Sequence, residues 1–109
     1  MGADIPKLVR RWGKDKINFV HIRNVQDLSG KVPSTKFTET FHDEGQIDMY
    51  EAMKAYIEIG FSGPLRPDHV PVLATEIEAG MRGGYTTLGN LFAIGYIRGL
   101  AEAVSKEIS

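Results

Sequence analysis

The chain has 109 residues, enough for one small domain spanning 1–109, with 42% hydrophobic and 25% charged residues, as in ordinary soluble globular proteins. A net charge of −1 gives no reason to expect a nucleic acid or an anionic membrane as partner, and no stretch approaches the roughly 18 apolar residues of a membrane span. The absence of cysteine excludes disulfides and thiolate metal sites. The N-terminus lacks the basic start and apolar run of a signal peptide. From both features we predict a cytoplasmic protein.

The first half of the sequence predicts a helix, a strand and a long loop. Asp4 can cap a short helix that stops at Gly13. Residues 17–22 (INFVHI) are rich in β-branched and aromatic side chains of both parities, which predicts a strand covered on both faces, as in parallel sheets. Residues 23–46 are polar and contain turn formers, so we expect a long loop with a short extended piece at 36–41.

The second half predicts two further helices and a second strand. Asp48 can cap a helix that ends at Gly60. Residues 63–66 (GPLR) are expected to form a short strand, and the polar and glycine-rich stretch 70–84 a loop. A last helix is predicted over about 86–106.

The last helix carries apolar residues at helical spacing. The predicted stripe consists of Leu88, Leu91, Phe92, Tyr96, Leu100 and Val104. Gly89, Gly95 and Gly99 weaken the helix by up to about 1 kcal/mol each relative to alanine. Small residues at these positions predict close packing against a neighbouring element.

The predicted order is helix, strand, helix, strand, helix, an α/β arrangement. Two parallel strands joined by a helix form one right-handed crossover unit. Two strands alone do not make a stable open sheet with both faces covered. The pattern therefore resembles a slice of a larger fold, such as a partial (β/α)₈ TIM barrel of about two βα units with a preceding helix; a whole barrel needs about 250 residues.

Each of the three histidines lies at the end of a predicted strand or in a loop. His21 ends the first strand, His42 lies in the long loop, and His69 follows the second strand beside Asp68. In parallel α/β folds the loops after the strand C-termini meet on one face, where sites are built. We therefore expect His21 and the pair Asp68–His69 to approach each other although they are far apart along the chain.

Such a group of side chains supports metal-assisted chemistry. A neutral imidazole and a carboxylate suit Mn²⁺, Fe²⁺ or Zn²⁺. A second imidazole beside the ion can act as acid or base near neutral pH. Arginine supplies a forked set of donors for a substrate carboxylate.

Each of these residues also has an ordinary structural explanation. A histidine at a strand end is commonly a hydrogen-bonding group, Asp68 after a proline can be a turn residue, and Tyr85 can be a packing residue. Glu39, Asp43 and Glu44 are interpreted as solvated loop charges. From spacing alone the sequence predicts half a metal site.

Four blocks of the sequence resemble the C-terminal third of the mannonate dehydratase family, in the right order and over nearly the whole chain. These blocks are FVHIRNV (19–25), FTETFHDEGQIDM (37–49), GPLRPDHVP (63–71) and GGYTTLGNLFAIGYIRGLAEA (83–103). The resemblance implies a (β/α)₈ barrel and a hydro-lyase of hexuronate catabolism. Its substrate would be the sugar acid D-mannonate, its product 2-keto-3-deoxy-D-gluconate, and its cofactor Mn²⁺ or Fe²⁺.

The same resemblance implies roles for individual residues. His21 and Asp68 would be metal ligands, and His69 and Tyr85 would carry the proton transfers. The residues implied to line the substrate pocket are Arg23, Asn24, His42 and Arg66.

The chain departs from the family pattern in three respects. The remaining metal ligands of the family, a cysteine and another histidine, come from earlier strands that this sequence does not contain. Asn90 stands where an arginine is expected, and Val70 where many relatives carry glycine. Two hypotheses follow: a lyase of this family represented by its C-terminal part, or a truncated, catalytically silent chain that acts as a structural or associating module. Exposed strand edges predict self-association or a homo-oligomer.

Overall fold

The computed structural model describes residues 3–31, 36–80 and 86–108. Its elements, in chain order, are α1 (Ile5–Trp12), β1 (Val20–Ile22), β2 (Asn24–Asp27), β3 (Phe37–Thr40), α2 (Met49–Glu58), β4 (Leu65–Pro67), α3 (Ala74–Glu78) and α4 (Thr87–Ile108). The chain is therefore a mixed α/β structure. None of the described helices is long and apolar enough to cross a membrane.

The two predicted aspartate caps are confirmed. The Asp4 carboxylate accepts a hydrogen bond from the Lys7 amide at 3.1 Å at the start of α1. The Asp48 carboxylate does the same for the Glu51 amide at 3.0 Å at the start of α2. Each cap satisfies an amide that the helix leaves without a partner, which stabilises a helix by about 1 kcal/mol.

The first and last strands pair in parallel, as predicted. The register pairs are Val20 with Leu65, His21 with Arg66, and Ile22 with Pro67. The pairing continues past the strand end, where the Asp68 amide donates to the Ile22 carbonyl at 2.7 Å. The strands are shorter than predicted, at three residues each. The described residues therefore contain two βα units. The first consists of β1 and α2, and the second of β4 and α4.

Helices cover one face of this strand pair. Val20 and Ile22 are buried in a core with Met49 and Met53 of α2 and Ile97 of α4. The side chains that alternate with them along the strand point the other way, and Phe19 is 49% exposed. Among the described residues the helices pack on one side of the strand pair only, so the other apolar face of the strand, which was expected to be covered, is open here.

The stretch predicted as a long loop contains a β-hairpin. A single residue separates β2 from β1, and β2 pairs antiparallel with β3. The register pairs are Asn24 with Thr40, Val25 with Glu39, Gln26 with Thr38, and Asp27 with Phe37. The predicted extended piece at 36–41 corresponds to β3, but the loop prediction is wrong for 24–27. A polar strand whose partner is remote in sequence leaves little trace in hydrophobic periodicity.

The predicted loop over 70–84 contains the short helix α3. Its Glu76 is only 3% exposed. The Glu76 carboxylate accepts hydrogen bonds from the amides of Leu73 and Leu88, each at 3.2 Å, and so joins the start of α3 to the first turn of α4. The Glu76 carboxylate holds this helix in place through its hydrogen bond to α4. A helix of five residues is too short to show a periodic pattern in the sequence.

The long helix α4 exists as predicted, but its buried face differs from the predicted stripe. The buried positions are Gly89, Ala93, Ile97 and Val104. Leu88, Leu91 and Phe92 of the predicted stripe are exposed. The helix turns the side of Gly89 toward the core, where there is no room for a larger residue. A Cβ added at Gly89 would lie 2.5 Å from Cγ2 of Val70. The predicted close packing of glycines therefore holds for Gly89 and not for the exposed Gly95.

Candidate active site

Five polar side chains meet at the C-terminal ends of β1 and β4. We call them the strand-end cluster: His21, Arg23, Glu39, Asp68 and His69. Parallel pairing brings the two strand ends together, and the hairpin folds Glu39 back over them. The predicted approach of His21 to Asp68 and His69 is thus present in the structure.

The pair His21 and Asp68 has the spacing of two ligands of one ion. Nδ1 of His21 lies 3.5 Å from Oδ1 of Asp68. Two ligands each about 2.0–2.2 Å from a common ion are separated by about 2.8–3.6 Å in octahedral or tetrahedral arrangement. An imidazole with a carboxylate is also a donor set that Mn²⁺ and Fe²⁺ accept. These two residues fit the divalent ion that the sequence resemblance implies.

The described residues supply only part of a metal site. Within 3–31, 36–80 and 86–108, no group of three or more His, Cys, Asp or Glu side chains is arranged to hold an ion. Further ligands would therefore have to come from other polypeptide segments.

Arg23 is held by several partners at once. Its guanidinium lies 3.0 Å from Oε1 of Glu39 and 3.7 Å from Oδ2 of Asp68. It also lies over the ring of Phe37, 5.8 Å from the centroid. Arg23, Phe37 and Glu39 share one face of the hairpin, where cross-strand and diagonal neighbours are in reach of each other. The cation offsets the negative charge that two carboxylates would otherwise concentrate beside His21.

His69 contacts both carboxylates of the cluster. Its Nδ1 is hydrogen-bonded to Oε1 of Glu39. Its Nε2 lies 3.9 Å from Oδ1 of Asp68, too far for a hydrogen bond between those two atoms. The ring thus adjoins the proposed metal ligands without having the position of a third ligand.

Asn24 and His42 lie behind the cluster, inside the protein. Asn24 is 1% exposed, and its side-chain amide donates to the carbonyls of His42 and Ile47 and accepts from the amides of Val25 and Ile47, all within 3.0 Å. A Cβ on Gly45 would lie 2.1 Å from Oδ1 of Asn24, so only glycine permits this approach. Asn24 therefore fastens the end of β1 to the segment that leads into α2.

His42 is fully buried, and its Nε2 donates to the Ile22 carbonyl at 2.8 Å. Burial lowers the pKa of His42 below its ordinary value, and the hydrogen bond to Ile22 opposes that shift. Its Nδ1 is buried without a hydrogen-bond partner among the described residues. Substrate contact by Asn24 and His42 stays a prediction, and in this chain both side chains brace the backbone instead.

The two remaining predicted site residues have different outcomes. Arg66 is the register partner of His21, and both are exposed, so the two side chains share the uncovered face of the strand pair. Tyr85 lies outside the described residues.

Sequence reasoning missed Glu39. We interpreted it as a solvated loop charge, whereas its side chain is 28% exposed and bridges Arg23 and His69. The signal was present in the alternation of Phe37, Glu39 and Phe41 with threonines, which is typical of a strand with one face turned to a partner.

Comparison with known proteins identifies the family of this chain. The family model of D-mannonate dehydratase (UxuA) matches residues 1–109. The mannonate dehydratase of Brachyspira hyodysenteriae is 37% identical over 105 residues, covering 94% of this chain and 27% of the relative. That of Thermotoga neapolitana is 38% identical over 106 residues, covering 94% of this chain and 28% of the relative. The chain thus spans little more than a quarter of the length of these relatives.

A solved structure agrees with the sequence comparison. The crystal structure of mannonate dehydratase from Streptococcus suis serotype 2 superposes with a TM-score of 0.69 at 28% identity, covering 96% of this chain and 28% of that one. That the matching segment is the C-terminal third stays a prediction. The match over the full 109 residues shows that this chain belongs to the D-mannonate dehydratase (UxuA) family.

Proposed function

We propose that this chain is part of a hydro-lyase that dehydrates D-mannonate to 2-keto-3-deoxy-D-gluconate in the cytoplasm. The observation that carries the proposal is the meeting of His21, Arg23, Asp68 and His69 at two parallel strand ends, in a chain that matches the family throughout. In this proposal the strand pair and its helices are about two units of a (β/α)₈ barrel. The uncovered face of β1 and β4 is then the side turned toward the barrel interior, where such enzymes hold their sites.

The reaction removes a proton from C2 and a hydroxyl from C3. The C2–H and C3–O bonds break, a C2=C3 double bond forms, water leaves, and the resulting enol rearranges to the 2-keto acid. The proton on C2 is weakly acidic because the carbanion delocalises into the neighbouring carboxylate. One group must accept this proton, and another must donate one to the departing hydroxyl. His69 is our first candidate for these transfers and Tyr85 the second.

The other residues of the cluster bind and orient in this proposal. His21 and Asp68 would hold the divalent ion, Mn²⁺ or Fe²⁺, which supplies Lewis-acid stabilisation of the substrate carboxylate when bound. Arg23 and Arg66 carry fixed positive charge at the same strand ends and suit an anionic sugar acid. Arg23 also keeps the carboxylates of Glu39 and Asp68 in place.

The test uses a complete enzyme, by which we mean a protein that carries this segment together with the rest of the length that its relatives have. One form is a chimera in which these residues replace the matching segment of the Thermotoga neapolitana protein. Incubation with D-mannonate and Mn²⁺ should yield the 2-keto-3-deoxy acid. A folded, metal-loaded complete enzyme that leaves D-mannonate unchanged would refute the proposed function.

Two variants of the complete enzyme separate the proposed roles. His69→Ala should lower kcat by about 10²- to 10⁴-fold, the range of a general acid or base, and leave the metal content intact. Asp68→Ala should lose both turnover and metal, because it removes a ligand. Metal content is measured by mass spectrometry after dialysis. Near-normal turnover of His69→Ala would rule out its assigned role.

The alternative is that the 109 residues alone form a catalytically silent, associating module. The observation that favours it is that the described residues supply two metal donors and no third. The chain alone should then fail to dehydrate D-mannonate at any Mn²⁺ concentration at which the complete enzyme is active. Turnover by the isolated chain would exclude this alternative.

A further inference from the structure

Glu39 lies against His69, and the proposed reaction assigns it neither proton transfer nor metal binding. We infer that Glu39 is a positioning residue: its carboxylate holds the His69 ring in one orientation and keeps the proton of the neutral ring on Nδ1. The inference rests on the proposed function, in which His69 transfers a proton to or from the substrate. It adds a residue of β3 that the sequence analysis interpreted as a solvated loop charge.

The hairpin is what carries Glu39 to His69. Glu39 is the register partner of Val25, which lies three residues beyond the end of β1. His69 follows the end of β4, two residues after Pro67. Since β1 and β4 are parallel neighbours, a strand folded back along the extension of β1 reaches the residue that follows β4. The contact thus joins residues 30 apart in sequence through two separate strand pairings.

The Glu39 carboxylate is itself fixed, which a positioning group requires. Its Oε1 accepts hydrogen bonds from both Arg23, at 3.0 Å, and Nδ1 of His69. Arg23 is in turn held over the ring of Phe37. The side chains of Glu39 and His69 are 28% and 39% exposed, so water can reach this contact only in part. Charge-assisted hydrogen bonds of this kind are stronger and more directional than those between neutral groups.

The direction of this hydrogen bond fixes the tautomer. Oε1 of Glu39 already accepts from the Arg23 guanidinium, which can only donate, so Nδ1 of His69 is the donor of the second hydrogen bond. In the neutral ring Nε2 is then the nitrogen with the lone pair. Nε2 lies on the side of Asp68, 3.9 Å from its Oδ1, next to the proposed metal ligands. Glu39 therefore turns the basic nitrogen toward Asp68, as carboxylates orient catalytic imidazoles in other enzymes.

The first test measures the tautomer and does not depend on activity. Nitrogen NMR of the ¹⁵N-histidine-labelled chain, with the rings in their neutral form, should show His69 with its proton on Nδ1. Glu39→Ala should lose that preference. The matched control is Glu44→Gln, which removes a negative charge at an exposed position of the neighbouring loop and should leave the spectrum of His69 unchanged. A proton on Nε2 in the unmodified chain would overturn the inference.

The second test measures turnover of the complete enzyme. Glu39→Ala should lower kcat by on the order of 10- to 100-fold, as loss of a partner that orients an imidazole does, with a much smaller change in KM and unchanged metal content. Glu39→Gln should recover most of this loss. Its carbonyl oxygen would take the position of Oε1, because an amide NH₂ there would face two donors, Arg23 and His69. An unchanged kcat in Glu39→Ala, or a Glu39→Gln variant as impaired as Glu39→Ala, would refute the positioning role.

The two tests separate failure of the inference from failure of the proposed function. If the complete enzyme does not dehydrate D-mannonate, the proposed function is wrong, and the tautomer of His69 still decides whether Glu39 positions the ring. If the complete enzyme is active and Glu39→Ala turns over normally, the inference is wrong and the proposed function stands.

Discussion

At the scale of single residues, the carbonyl oxygen of Ile22 connects the candidate site with the interior. It accepts one hydrogen bond from the Asp68 amide at 2.7 Å and another from Nε2 of His42 at 2.8 Å. The Ile22 carbonyl, which bonds the Asp68 amide, is therefore held in place by the fully buried His42. His42 acts on the site through this brace.

The buried His42 makes the stability of the chain depend on pH. Burial lowers its pKa in the folded state, so the unfolded chain binds the proton more readily. The contribution of neutral His42 to stability is present above 6.5, its ordinary value, and is lost as the pH falls below it. Protonation would also give the buried Nδ1 a hydrogen with no acceptor among the described residues.

We therefore expect the free energy of unfolding to fall as the pH is lowered below that value. His42→Gln should lose part of this dependence, since its amide can still donate to the Ile22 carbonyl and does not titrate. Urea denaturation at a series of pH values, with and without the substitution, provides the measurement. Equal pH dependence of the two proteins would show that His42 is not the group responsible.

At the scale of elements, the glycines of α4 lie in opposite environments. Gly89 is buried, and a Cβ there would meet Cγ2 of Val70 at 2.5 Å and Oγ1 of Thr86 at 2.7 Å. At Gly95 and Gly99 an added Cβ would meet no atom within 4 Å. The same substitution in one helix therefore probes packing at one end and backbone propensity in the middle.

Gly89→Ala should destabilise the chain by about 1–3 kcal/mol, the usual effect of adding a methyl group to a filled site. Gly95→Ala is the matched control and should stabilise it by up to about 1 kcal/mol, because alanine restricts the unfolded chain and suits a helix better. Both are measured by urea denaturation followed by circular dichroism. A tolerated alanine at position 89 would mean that α4 does not pack against Val70 as described.

Local signals in the sequence were enough for part of this architecture. The aspartates that begin α1 and α2 cap them as predicted, and the parallel pairing of β1 with β4 was expected. Each of these rests on residues close together in sequence or on a general rule of chain topology. The same rule predicted that His21 would approach Asp68.

Features that depend on remote partners were not predicted. The strand β2 and the short α3 are held by cross-strand pairing and by the Glu76 carboxylate, and neither segment shows a periodic pattern of its own. The wrong face was assigned to α4 because the approach of Val70 to Gly89 rotates the helix. Glu39 was missed although its strand was expected to be extended, because its contacts with Arg23 and His69 arise only when the hairpin folds back over the strand ends.

At the scale of the whole molecule, the chain exposes much apolar surface. On α4, Leu91 is 66% exposed, Phe92 44% and Ile94 45%, and on the uncovered strand face Phe19 is 49% exposed. Monomeric proteins rarely present contiguous apolar patches larger than a few hundred Å². Surfaces of this kind are normally covered by another part of the same fold or by another molecule.

The 109-residue chain should therefore self-associate when it is expressed alone. Sedimentation velocity should show a mass that rises with concentration, and Leu91→Lys should reduce that rise by placing a charge in the exposed apolar face of α4. Ser105→Lys, at an exposed polar position of the same helix, is the matched control and should have little effect. A monodisperse monomer that unfolds cooperatively would contradict this prediction.

The pairing of β1 with β4 also determines when the site can form. Val20 and Leu65 are 45 positions apart, and the pairing they begin is only three residues long. Closing a loop of that length costs about 3 kcal/mol in chain entropy, whereas each backbone hydrogen bond returns only about 0.5–1.5 kcal/mol. With so few hydrogen bonds the gain is close to the cost, so the strand pair depends on the packing of α2 and α4 behind it. His21 and Asp68 meet only as the chain completes its fold, so Gly89→Ala, which disturbs the packing of α4 against Val70, should also loosen the grip of the pair on an ion.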